Sequence, residues 1–394
     1  MILLFLLPVA HWPASALQQH QHGGATAARD GQFNPWVVSR LQGDGFYITY
    51  VQRTGGSSEV MFQLADSAGK LTPPVRVNDR AGDAAVRNEN PPKVAVGPKG
   101  EIYVVWANER EKWKGNIRFA RSTDEGRSFS PALTLNSDGS GPPAGHAFQS
   151  IVVDARGRIH VAWIDERNKT AKNRGAEIWI CTSTDGGRTF RPDRKVLSDV
   201  CECCRTAFAV DSGGNLFIAY RTVPAEGPMY RDIVVARSRD GGETFRPVVV
   251  SHDGWELNGC PVAGPAIAIG DQDQLSVFWF TQGKGTAGLL NATSADHGIS
   301  FSSPRPPGAE PRSAKHAHAV AGGNRTLLVA WDEMGSTSVV KWGLLDPVRD
   351  SVQFMESHSD ASYPVVAANE SAWAMVAVSS GSPELVRRFE PRRR

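Results

Sequence analysis

One eight-residue pattern, Ser-x-Asp-x-Gly-x-Ser/Thr-Phe, occurs four times in this chain, at 122–129, 183–190, 238–245 and 294–301. Each copy has the chemistry of a tight turn. Short Ser and Asp side chains can bond nearby backbone N–H groups, and the invariant Gly supplies a positive φ at no steric cost. The closing Phe begins the next strand, where it can pack between sheets. Four copies spaced 55 to 61 residues apart imply an architecture of repeated units.

The same syntax recurs around each turn. A short apolar strand leads to a Gly/Asp turn and a second strand ending in an aromatic residue. A variable loop, a third strand, the Asp turn and a fourth strand follow. The second strands align at 46–50, 102–106, 159–163, 216–220, 275–279, 327–331 and 373–377, which makes seven units. The first unit and the last two lack the Asp turn, and the seventh lacks a clear fourth strand. No long amphipathic helical stretch is present. Four-stranded units repeated radially predict an all-β propeller, and segment 36–39 is expected to complete the seventh blade and close the ring.

The chain of 394 residues thus reads as a single propeller domain over 32–394, and a monomer. Net charge is +2, from 43 basic and 41 acidic residues, which offers no electrostatic basis for nucleic-acid binding. Residues 2–10 are apolar but too few to span a bilayer, and Ala14, Ser15 and Ala16 fit a small-residue cleavage site. We therefore read 1–16 as a signal peptide, 17–31 as a flexible lead-in, and the location as secreted or periplasmic. No later segment is apolar enough to cross a membrane.

The four turns resemble the Asp boxes of the sialidase superfamily, and the resemblance extends over most of 40–390. It implies a sialidase-like β-propeller of six or seven four-stranded blades, since sialidases have six and seven units are counted here. It further implies activity on anionic glycans. Sialidases use a Tyr nucleophile paired with Glu, an Asp acid/base and three Arg that bind the substrate carboxylate. This chain lacks the Arg-Ile-Pro motif that carries the first Arg; the nearest positions are 88–93, ending in Lys93. Arg205 and Arg221 take mouth positions in the middle blades, and Tyr363 lies on the last inter-blade link. Asp165 or Asp332 is the candidate acid/base, and Glu166 or Glu333 the candidate partner of Tyr.

Strand alternation places all Asp turns on one face, with the first-to-second-strand turns. The functional loops are expected on the other face, where the inter-blade links converge on the axis. Those links carry Cys201, Cys203, Cys204 and Cys260, with His146, His316 and His318. Thiolate and imidazole together suit copper or zinc. Disulfides, such as Cys201 or Cys203 to Cys260, account for the same cysteines in an exported protein. Acids following strand-terminal Trp, as at Asp165 and Glu333, serve either the mouth or ion pairs at blade edges. Three functions remain open on this reading: a glycoside hydrolase, a non-hydrolytic propeller with a Cys/His metal site, and a disulfide-stapled binding scaffold for a glycan or other small ligand.

Overall fold

The computed structural model describes residues 29–392, apart from 42, 88, 171–173, 284–286, 309–312, 348, 350, 356 and 383. The leader at 1–16 and most of the lead-in lie outside the described residues; Gly31, read as the end of the lead-in, already begins a strand. Seven antiparallel sheets form a seven-bladed propeller, which settles the blade count. Its innermost strands are Gly31–Ser39, Lys93–Val96, His146–Val153, Ala207–Val210, Ala266–Ile269, Ala314–Gly323 and Ala361–Ala368. Each pairs with the next strand in sequence, and these second strands contain all seven aligned segments. Blades 5 and 7 show three strands each among the described residues.

Ring closure differs from the sequence expectation. Segment 36–39 belongs to Gly31–Ser39, the first blade's own innermost strand, which pairs with Phe46–Thr54 and not with the seventh blade. Blades 7 and 1 instead meet through side chains. Val365, Ala367, Ala374 and Val376 pack with Val37, Phe46 and Ile48, and Phe389 lies against Phe46 with ring centroids 5.8 Å apart. Arg387 Nη2 donates to Gln32 Oε1 at 3.2 Å across the same seam. An apolar sheet face supplies enough burial to hold neighbouring blades without a shared strand.

The Asp turns lock themselves and their neighbours. Ser183 Oγ donates to Asp185 Oδ1 at 2.8 Å and accepts from Gly187 N at 3.0 Å. Asp185 accepts from Thr189 N at 3.0 Å and Thr189 Oγ1 at 2.7 Å. The bonds repeat at Asp124, Asp240 and Asp296. The fixed glycine has two causes: Gly187 adopts φ +75, and a Cβ there would lie 2.7 Å from Phe119 of the preceding blade. Phe190 closes the joint, edge-on to Phe119 at 4.9 Å.

Candidate functional site at the axial mouth

On the face away from the Asp turns, several innermost strands carry the same distortion. Asn34, Phe148, His316 and Tyr363 have φ of +52, +55, +48 and +57, in blades 1, 3, 6 and 7. Each stands where strand register shifts by a bulge. Glu89 (φ +58) and Val262 (φ +45) occupy the links entering blades 2 and 5. Positive φ in non-glycine residues stores strain, and bulges re-aim side chains, so this recurrence marks the mouth as a shaped surface.

Those distortions gather a charged cluster. Lys93 is buried at the start of its strand, 4.7 Å over the Trp36 ring and 3.2 Å from Ser150 Oγ. Arg205 Nε lies 3.5 Å from Glu89 Oε1, and its Nη2 donates to Ala317 O. Gly264 N donates to Glu89 Oε2 at 3.2 Å. His318 Nδ1 accepts from Val366 N at 3.3 Å, and its ring meets Trp36 edge-on at 4.9 Å. A cavity of about 280 Å³ lies among all seven innermost strands, with Lys93, Arg205 and His318 in its wall.

Burial and charge set the protonation states. Burial, reinforced by Arg205 and partly offset by Glu89, pushes Lys93 down to about 7. Burial with Arg205 and Lys93 nearby drives His318 well below the usual imidazole value, so this ring is neutral and carries its proton on Nε2. His316 goes the other way. Burial opposes its charge, but Asp332 outweighs burial and raises it. Its Nδ1 lies 2.8 Å from Asp332 Oδ2 and its Nε2 3.0 Å from Val262 O. Both neighbours accept, so both ring nitrogens carry protons. The Tyr363 ring packs on His316, centroids 4.3 Å apart, and Tyr363 N donates to the same Asp332 oxygen at 2.9 Å.

The residues singled out in the sequence thus fall into several places. Arg205, Tyr363, His316, His318 and Asp332 meet near the axis. Arg221 does not face the mouth: it is fully buried, donating to Arg231 O at 2.6 Å, Phe280 O at 2.7 Å and Ala263 O at 3.0 Å. Asp165 is buried within blade 3, where it accepts from Trp163 Nε1 at 2.8 Å and Arg167 Nη2 at 2.7 Å, with His146 Nε2 at 3.2 Å. Burial opposes its charge, but these partners hold it at about 2, and Asp165 in turn raises His146. Glu333 accepts from Trp331 Nε1 at 3.3 Å and pairs with Lys341 Nζ at 2.9 Å. Glu166 pairs with Lys169 at 3.1 Å beside a separate surface cavity. Asp165 and Glu333 therefore cap indole N–H groups and bind blade-edge cations, and Glu166 binds a cation alone.

The cysteines resolve partly as disulfide. Cys203 is bonded to Cys260, so neither sulfur is a thiolate available to a metal. Cys201 and Cys204 are buried free thiols, as is Cys181 in the core of blade 3. Among the described residues the sulfur cluster of 201–204 includes no histidine, and His146, His316 and His318 have the separate partners given above. A second group, Asp211, Asp273 and His297, sits on the Asp-turn face; Asp211 accepts from Asn215 and Asp273 from Ser212. Sequence reasoning missed Lys93 and Glu89 as site residues. The available signal was a lysine opening an apolar strand, 93–96, just after two prolines.

The BNR repeat-like domain model matches residues 53–253. The chain belongs to that family. No curated protein sequence matches it. The BNR repeat-like propeller is similar in fold to a Hadza microbial sialidase: identity is 17% and TM-score 0.53, covering 87% of this chain and 73% of the other. The leech intramolecular trans-sialidase shows 11% identity and TM-score 0.52, over 93% and 92% of the two chains. An ulvan lyase, described as a new family of polysaccharide lyase, shows 14% identity and TM-score 0.56 over 92% and 96%. At these identities the likeness is one of fold. Among the described residues no helix is long and apolar enough to cross a membrane.

Proposed function

We propose that this BNR repeat-like propeller is an exported glycan-acting enzyme that takes a carboxylate-bearing glycan at the axial mouth. The carrying observation is the cavity among all seven innermost strands with Lys93 and Arg205 in its wall. A guanidinium and an ammonium in a partly enclosed site attract carboxylate far more than they would in open water. Lys93 stands near the position where the sialidase pattern has its first Arg, which replaces a planar fork by a titratable point charge. The ulvan lyase was solved bound to -[GlcA(1-4)Rha3S]-, an anionic glycan, and the other two neighbours are sialidases by name.

Tyr363 is the reacting group on this reading. An anionic sugar repels a carboxylate nucleophile, and a neutral phenol avoids that cost. The imidazolium of His316 against the Tyr363 ring favours negative charge developing on the phenolic oxygen, and Asp332 holds both residues. Export rests on the leader at 1–16.

The test is calorimetric binding and product release with sialosides and uronate-containing oligosaccharides, with neutral oligosaccharides as controls. Anionic glycans should bind and be cleaved. Arg205→Met should weaken binding more than tenfold, and Tyr363→Phe should keep binding and lose cleavage. Lys93 is charged only below about 7, so affinity should fall as pH rises through that value, and Lys93→Met should flatten the profile. A folded wild-type protein that binds no anionic glycan sinks the reading.

A further inference from the structure

Three sulfur atoms lie together in the link between blades 3 and 4. Cys201 Sγ is 3.2 Å from Cys204 Sγ and 3.6 Å from Cys203 Sγ. Cys203 is bonded to Cys260, while Cys201 and Cys204 are free thiols spaced as Cys-x-x-Cys. The Arg231 guanidinium stands 3.7 Å from Cys201 Sγ. Cys201 and Cys204 are buried with Val223, whereas Cys260 is exposed. A purely structural bridge has no use for a buried dithiol within reach of one of its sulfurs, but exchange requires that arrangement.

We propose that 201–204 and Cys260 form a thiol–disulfide exchange site, a second centre distinct from the glycan mouth, whose external substrate is a disulfide compound reaching Cys260. Internally, the Cys201 thiolate attacks Cys203 Sγ. The Cys201–Cys203 bond forms, the Cys203–Cys260 bond breaks, and Cys260 leaves as a thiolate. Cys204 then attacks Cys201 Sγ, forming Cys201–Cys204 and releasing Cys203. The pair 201/204 is oxidised by two electrons, the pair 203/260 is reduced by two, and the two protons pass from the first pair to the second. With an external disulfide, Cys260 attacks one of its sulfurs and releases a thiolate. Cys203 then closes on Cys260 and releases the other thiolate. The net reaction leaves two protein disulfides and two external thiols.

The environment supports the direction of attack. The hydrogen bond shared with Cys204 lowers Cys201, with Arg231 adding to it against burial, while burial raises Cys204. The nucleophile is thus Cys201 and the resolving thiol Cys204. The exchange also bears on the mouth. Cys260 begins the segment that carries Val262, whose carbonyl faces His316, and Gly264, whose N–H bonds Glu89. A Cβ on Gly264 would lie 2.2 Å from Arg205 O, so that segment sits directly on the Arg205 backbone. The bridge Cys203–Cys260 ties these two strips together.

The experiment is acid quenching, differential alkylation and peptide mapping of protein purified without reductant. Two one-disulfide isomers, Cys203–Cys260 and Cys201–Cys204, are expected. Oxidised glutathione should convert both to the two-disulfide form, and Cys203→Ser should trap glutathione on Cys260. Cys204→Ser should abolish the Cys201–Cys204 isomer while keeping the wild-type circular-dichroism melt. The proposal is overturned if folded wild type shows Cys203–Cys260 alone, with Cys201 and Cys204 unreacted after glutathione. Stoichiometric zinc or copper on Cys201 and Cys204 that blocks exchange overturns it equally. Glycan binding is not read at any step, so this outcome is independent of the proposed function.

Discussion

Asp332 Oδ2 lies 2.8 Å from His316 Nδ1, and both groups are buried. The same oxygen accepts from Tyr363 N, so one carboxylate fixes two successive bulges of the ring. His316 is raised in the folded state because Asp332 outweighs burial. A raised imidazole contributes stability that is fully present below the unfolded value of about 6.5 and is lost as pH rises through the folded value. Asp332→Asn should therefore cost about 3–5 kcal/mol at acidic pH, and less once pH has risen through the folded value of His316. Urea denaturation of both proteins across pH checks this, and a difference that ignores pH would show that His316 is not charged.

The Asp turns should govern acid stability. Hydrogen bonds from Ser128 and Ser122 hold Asp124 at about 2, and bonds from Thr244 and Ser238 overcome partial burial to hold Asp240 at about 2. Asp185 and Asp296 are lowered by Thr189 and Ser300 in the same way. Lowered carboxylates contribute above their unfolded value near 3.9, and the contribution disappears as pH falls towards the folded values. A chain with Asn at all four positions should melt lower at neutral pH and show a flatter decline between about pH 4 and pH 2. Glycan affinity at neutral pH should not change, because the turns occupy the opposite face.

Arg221 should prove architectural. Its guanidinium satisfies carbonyls from the link before blade 5, from the loop before Ile233–Ser238 and from the end of Leu275–Thr281, with no exposure. Arg221→Met strands three buried acceptors and should cost about 3 kcal/mol or more, since each unsatisfied group costs about 1–3 kcal/mol. Equilibrium unfolding measures the loss. Any Arg221→Met protein that remains folded should keep the wild-type affinity for anionic glycans; a selective loss of affinity would return Arg221 to the site.

The repeat was legible because the Asp turn is local chemistry. Ser, Asp and Gly within eight residues dictate their own hydrogen bonds wherever they occur. The mouth was legible only as a face. Arg205 was singled out on an inter-blade link, and Tyr363 and His316 where the innermost strands begin, but which side chain meets which depends on contacts such as Glu89 with Arg205 that no local pattern encodes. Asp165 and Glu333 take the blade-edge alternative for a specific reason. Strand residues two apart project on the same side, so an acid two places after a Trp is set to receive the indole N–H of that Trp. Segment 36–39 misled because an apolar N-terminal strand fits either the first or the last blade, and only pairing decides.

Among the described residues no backbone hydrogen-bond ladder crosses the seam between blades 7 and 1; packed side chains, Arg387 to Gln32 and Asn369 Nδ2 to Gly45 O hold it. Blades can therefore join through apolar side-chain surfaces while each sheet keeps its own strands. Evolution could add or drop a blade by rewriting a link and repairing one apolar interface, without unpicking a sheet. Seven units, four of them with a sialidase-type turn, are what such freedom allows.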